Sequence, residues 1–183
     1  IRAVSFLPQS ATVDDILAEF RQQKVHLAIV LDAHSRRVVG WALETHLQAS
    51  LATAALDMAI TTRRPAPGSL IHHSDRGVQY ACTDYTARLA AHDIQASMSR
   101  VGNPYDNAKC ERFMKTLKQE EVHASGYRDI TDARARIGTF IEQVYNRQRL
   151  HSALDYLPPA EYEENLARLG GAVPPRQAEP ATC

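Results

Sequence analysis

Residues 25–31, Val-His-Leu-Ala-Ile-Val-Leu, form a run of branched and aliphatic side chains of the kind that fills a buried strand. The polar turn Asp32-Ala-His-Ser35 follows, and Arg37 to Leu43 returns as a second strand, which commits this stretch to an antiparallel hairpin. The period then changes. Leu47, Leu51, Ala55, Met58 and Ala59 recur at helical spacing until Pro65-Ala-Pro-Gly68 stops the helix. Ser69 to His73 reads as a short apolar strand. A helix capped near Thr83, with Tyr85, Leu89 and Ala90 inward, separates it from another strand around Gln95 to Met98. Strands joined through helices run parallel, so the order predicts an α/β chain whose mixed sheet adds parallel strands to an antiparallel meander.

The remainder is helical. Gly102-Asn103-Pro104 supplies a loop, a cap and a first-turn proline for a helix running to about Val122, with Cys110, Phe113, Met114 and Leu117 inward. A long helix from Thr131 to Arg147 carries Ile137, Phe140, Ile141 and Val144 as its stripe, and after Pro158-Pro159 a short helix covers Ala160 to Leu169. Residues 25–169 are thus expected to be one folded unit and 170–183, with Gly-Gly and Pro-Pro, a disordered tail. Residues 1–24 admit two readings. Thr12-Val-Asp-Asp15 resembles a capping box ahead of Ile16, Leu17 and Phe20, yet a strand fits as well.

Composition excludes several classes. With 183 residues, 44% of them hydrophobic, the chain can bury a core and is not disordered throughout. Asp32 ends the longest apolar run far short of a membrane span. There is no signal-peptide pattern at the start, and Cys82, Cys110 and Cys183 stand at no metal-ligand spacing, so a reducing cytoplasm is the expected location. The net charge of zero conceals +3 over residues 1–150 and −3 over 151–183. A nucleic-acid partner would therefore be met by local clusters, of which Lys109, Arg112, Lys115 and Lys118 form one and Arg134, Arg136, Arg147 and Arg149 another.

Two acids stand out by position. Asp75 follows the strand Leu70-Ile71-His72-His73, at the carboxyl end where sheets of this class gather functional groups. Glu111 lies 36 residues on, and Asn107, Lys115 and Lys118 share its helix face at spacings of four and three. A carboxylate beside two ammonium groups suits a hard divalent cation next to a phosphate backbone. Each residue alone has a plainer reading. Asp before Gly commonly closes a turn, and Glu111 with Lys115 is also an ordinary helix pair worth about 0.2–0.5 kcal/mol.

Longer strings link these segments. His73-Ser-Asp-Arg-Gly-Val-Gln-Tyr80, then Gly102-Asn-Pro-Tyr-Asp-Asn-Ala-Lys-Cys-Glu-Arg-Phe-Met-Lys-Thr-Leu-Lys118, resemble bacterial insertion-sequence transposases, specifically the larger-frame subunit whose catalytic core is similar to retroviral integrases. Leu27 to Trp41 and Tyr145 to Leu154 extend the resemblance over about residues 25–165. It implies an RNase H-like fold, with a mixed five-stranded sheet flanked by helices, and three acids, Asp, Asp and Glu, holding two Mg2+ or Mn2+ ions. Asp75 matches the second acid and Glu111 the third. The implied activity is DNA strand cleavage followed by strand transfer, with element ends and target DNA as substrates. Lys115, Lys118 and Asn107 would then contact DNA or orient groups near the cut. The resemblance also implies DNA-recognition segments, including a helix-turn-helix, supplied by another segment or subunit, and a homo-oligomer assembled on DNA.

The first acid departs from the pattern. In the family it stands on the opening strand, in Asp-Ile-Thr-Tyr or a close variant, shortly before the strand matching His26 to Leu31. Here that stretch reads Val13-Asp-Asp-Ile-Leu-Ala-Glu-Phe20. Asp14 takes the acid's place without a gap and Asp15 with a one-residue deletion. Two alternatives stay open: a remnant that keeps the fold and weak DNA affinity without a complete triad, and an RNase H-like nuclease that hydrolyses without joining.

Overall fold

A computed structural model describes residues 2–6 (backbone only), 25–74, 80–98, 108–122 and 126–170. The hairpin forms as its pattern requires: β2 (His26–Asp32) pairs antiparallel with β3 (Val38–Glu44), with a register shift at Val30/Leu31. Asp32 closes the turn by accepting the backbone N–H groups of His34 and Ser35 at 2.9 and 3.1 Å. Helix α1 (Ala49–Arg63) crosses to β4 (Leu70–Ser74), and α2 (Thr83–Ala91) crosses to β5 (Gln95–Met98). The sheet has five strands in the order β3-β2-β1-β4-β5.

Its central strand is β1 (Arg2–Phe6), antiparallel to β2 and parallel to β4. Residues 13–20, which the family pattern aligns with the opening strand, lie outside the described residues. The segment Arg-Ala-Val-Ser-Phe is short, but it fills the gap between two strands that have no hydrogen-bonding partner there otherwise. The capping-box segment, the Asn103-Pro104 helix start and residues 171–183 lie outside the described residues.

Alternation along β2 divides the core. Leu27, Ile29 and Leu31 face α3 (Ala108–Leu117) and α4 (Ile130–Thr139), meeting Cys110, Phe113, Leu117, Ile137 and Ile141. Ala28 and Val30 face α1 and α2, meeting Ala55, Leu56, Tyr85 and Leu89. Both α3 and α4 end in wider π-helical turns, at Lys118–Val122 and Phe140–Tyr145. The α1 stripe differs from its periodic reading. Leu51, Ala52, Ala55, Leu56 and Ala59 are buried, whereas Leu47 precedes the helix at 45% exposure and Met58 is 36% exposed. Small side chains win this face because α1 lies directly on β3 at Gly40, where a bulkier stripe would hold the helix off the sheet. Ala90 of α2 is likewise exposed rather than inward.

The carboxyl-terminal segment is fastened to the hairpin by two polar devices. Asn146, 1% exposed, accepts the Val38 N–H at 3.0 Å and donates to the Val38 carbonyl at 2.9 Å. It thereby satisfies the outer hydrogen-bonding groups of an edge strand. From α5 (Pro159–Arg168), Glu163 meets Arg63, Arg37 and Ser35, while Arg63 also donates to Asp32 at 2.9 Å. Burial pushes the Glu163 carboxyl up, but the hydrogen bonds from Arg63 and Ser35 and the Arg63 charge outweigh it and hold the carboxyl below its usual range. Asn146→Ala is expected to lower unfolding stability by about 2 kcal/mol, since it strands two backbone groups beside a core residue. Urea denaturation of the two chains measures it, with a shifted midpoint at unchanged slope as the expected outcome.

Candidate active site and nucleic-acid interface

Strand β4 is parallel to both neighbours, so its carboxyl end at Ser74 is bordered by strands running the same way. His72 and Ser74 point into the protein, 2% and 3% exposed. The His72 Nε2 lies 3.1 Å from the Tyr85 hydroxyl, and burial, with the His73 charge adding to it, pushes the imidazole down to about 3. The ring is thus packed inside the protein and held against the Tyr85 hydroxyl. His73 Nδ1 sits 3.2 Å from Ser97 Oγ on β5 and so ties the two strand ends together. Asp75 is the next residue; it lies outside the described residues, as do Asn107, Asp14 and Asp15.

Glu111, the candidate third acid, lies on α3. Cys110, Phe113, Met114 and Leu117 anchor one side of this helix in the core, which turns Glu111 and Lys115 outward, both exposed, with Lys118 half-buried one turn on. Glu111, Lys115 and Lys118 therefore occupy one outward stripe, as their spacing predicts. Among the described residues no group of three His, Cys, Asp or Glu side chains could hold a metal ion. The β1 segment, Arg-Ala-Val-Ser-Phe, contains no carboxylate. The described part of the site thus offers one hard oxygen donor, Glu111, of the type a Mg2+ or Mn2+ ion takes.

A cleft of about 610 Å³ opens on the adjoining side of α3, between that helix and residues 149–153, and Arg36 from the hairpin turn completes its wall. Lys109, Arg112 and Arg149 were legible as members of basic clusters, but no spacing links residue 36 to them. Only the fold brings the β2–β3 turn onto the helix. Lys109 makes that junction directly, its Nζ donating to the Ala33 carbonyl at 3.2 Å. Trp41 belongs to the core side, half-buried against the α3–α4 cluster with its ring on Gly138.

Comparison with known proteins accounts for this arrangement. Two integrase core domain profiles match, over residues 8–104 and 92–159. The chain is 39% identical over 144 residues to the transposase for insertion sequence element IS904 of Lactococcus lactis, covering 79% of this chain and 56% of that one. It is 42% identical over 144 residues to the transposase InsF for insertion sequence IS3fB of Escherichia coli K12, covering 78% of this chain and 50% of that one. The chain therefore spans about half the length of these curated relatives. Among solved structures, the catalytic core domain of BIV integrase superposes with a TM-score of 0.63 at 13% identity, covering 93% of this chain and 98% of that one. The HTLV-2 integrase catalytic core domain in complex with magnesium gives 0.63 at 12% identity, covering 87% and 94%. The fold is that of an integrase catalytic core, and the chain belongs to the integrase core domain family, with insertion-sequence transposases among its relatives.

Proposed function

We propose that this chain is the catalytic core of a transposase, a polynucleotidyl transferase that cuts a DNA strand at an element end and joins it to target DNA. The observation that carries the reading is the pairing of a strand end with a helix face. The segment β4 leads directly into Asp75, and α3 turns Glu111 outward with Lys115 and Lys118 on the same stripe. Asp75 and Glu111 would hold the divalent ions, with Asp14 or Asp15 as the third ligand. A pair of such ions stabilises the attacking and leaving oxygens of an in-line phosphoryl displacement. The chain's own contribution is to fix the carboxylates on rigid elements and to meet flanking phosphates with Lys115 and Lys118, while Asn107 orients a group near the cut. Recognition of the element ends falls to a helix-turn-helix segment or subunit outside these 183 residues, and a homo-oligomer brings two ends together in the bacterial cytoplasm.

One observation favours a second reading. The strand at the centre of the sheet is Arg2–Phe6 and carries no acid, so a remnant that keeps the fold and DNA affinity without turnover accounts for this copy as well. A donor-end oligonucleotide and a supercoiled target plasmid separate the readings. The catalytic core yields joined product with Mg2+ or Mn2+ and none with a chelator. The nuclease yields cut donor only, and the remnant neither product.

A further inference from the structure

Helix α3 has two outward faces, and only one belongs to the proposed reaction site. Glu111 and Lys118 lie on the first. Lys109, Arg112, Thr116 and Gln119 lie roughly 100° around the helix and line the cleft, with Lys115 at the border between the two. Arg36, Lys109, Arg112, Lys115 and Arg149 line this cleft, and among the described residues no Asp or Glu does. Arg149 also pairs with Glu120, which is not among the lining residues.

The convergence of charge is legible in its effect on neighbours. Burial pushes His151 down to about 4, and Arg149, Arg36 and Arg112 all push it in the same direction. Its Nε2 is buried without a hydrogen-bond partner, beside Tyr145 in an edge-on contact at 5.1 Å. Three arginines, from the hairpin turn, α3 and the segment after α4, thus converge on one wall of the cleft, an arrangement that favours an anion there.

We infer that this cleft is a second nucleic-acid surface, one that holds the phosphodiester backbone of DNA flanking the reacting bond, with Arg36 and Arg112 as its principal phosphate contacts. Guanidinium groups suit phosphate oxygens through their forked N–H geometry, and a cleft about 610 Å³ in volume accommodates a backbone segment rather than a single ion. The surface carries no base-reading pattern of its own, so its contribution is to position and retain DNA, not to choose sequence. The inference rests on the transposase reading for the identity of the polyanion, but not on the carboxylates being active.

The test is binding of a fluorescently labelled DNA duplex to the full 183-residue chain by anisotropy, in chelator, over a range of salt concentrations. Arg112→Gln, at an exposed helix position, and Arg36→Gln should each flatten the plot of log affinity against log salt by about one unit, and the double variant by about two. Arg88→Gln, which breaks only the exposed pair with Asp57 on the far side of the molecule, should leave the slope unchanged. Circular dichroism melting checks that each variant folds. Slopes equal to that of the parent chain in both Arg112→Gln and Arg36→Gln overturn the inference. Polyglutamate that binds more tightly than the duplex at matched charge, with that preference lost in the same two variants, also overturns it, in favour of an acidic polypeptide partner. Binding is read in chelator and without turnover, so a failure of the catalytic reading shows in the joining assay and not in this one.

Discussion

Asp75→Asn and Glu111→Gln each abolish strand joining, by about three orders of magnitude or more, while the fold survives. The expectation follows from charge. Each substitution is nearly isosteric but replaces an anionic oxygen pair by a neutral amide, and metal-ion stabilisation of a phosphoryl transition state is worth several kcal/mol, or roughly a thousandfold in rate. Glu111 is exposed on α3 and has no packing role, so Glu111→Gln leaves the helix and its core face intact. Two measurements check this: joined product from the donor-end assay, and Mn2+ affinity by calorimetry. Loss of an outer-shell partner weakens metal binding about 10–100-fold, and loss of a direct carboxylate ligand should do so by more. Metal affinity unchanged in both variants would remove these residues from the ligand set. A parent chain that binds Mn2+ weakly and joins nothing is what the remnant reading predicts, and the same calorimetry reads it.

The opening strand is weakly encoded for a physical reason. The hairpin was legible because β2 is buried on both faces and therefore reads as a continuous apolar run. The strands β4 and β5, with the helix preceding each, were legible because the hydrophobic period changes at Pro65-Ala-Pro-Gly68 and again at Thr83. The strand β1 gives no such signal. It has five residues, begins with Arg and contains Ser, and it becomes a strand only because β2 and β4 leave a place between them. Local propensity is weak evidence for a strand of that kind, because its stability lies in pairing that is remote in sequence. The stretch 13–20 matches the opening strand through the family pattern alone, since its own local signal, the capping box, points to a helix. Similarly, Glu111, Lys115 and Lys118 were legible as a stripe because helical spacing is local, whereas the Arg36 side of the cleft depends on a tertiary contact across 76 positions, that of Lys109 with Ala33. Leu47 and Met58 show the converse failure. Their spacing fitted a stripe, but the face that packs on the sheet buries Ala52 and Leu56 in their place.

That selection predicts where the fold is least tolerant. A methyl group added at Gly40 would run into the Ala55 carbonyl oxygen and lie 2.7 Å from the Ala59 backbone nitrogen and 2.9 Å from its Cβ. All three belong to the rigid backbone wall of α1, so no side-chain rotation relieves the clash; the helix must lift from β3 along its contact. Lifting it separates Ala55 and Ala59 from Val39 and Val30 and opens gaps along a buried face. Gly40→Ala is therefore expected to cost about 3 kcal/mol, the upper part of the range for overpacked cores, and to lower the melting temperature by roughly 6–12 °C in a chain of this length. Gly138→Ala is the informative comparison. Its added methyl would meet only the Trp41 ring edge, 2.8 Å from Cζ2, which belongs to a half-buried side chain and not to a helix backbone. A loss at Gly138 smaller than that at Gly40, read by calorimetric melting of both variants, is the expected order. Equal losses would mean that α1 yields as easily as a tryptophan ring, contrary to a helix held by buried alanines on one side and by the Arg63–Asp32–Glu163 ion pairs at its carboxyl end.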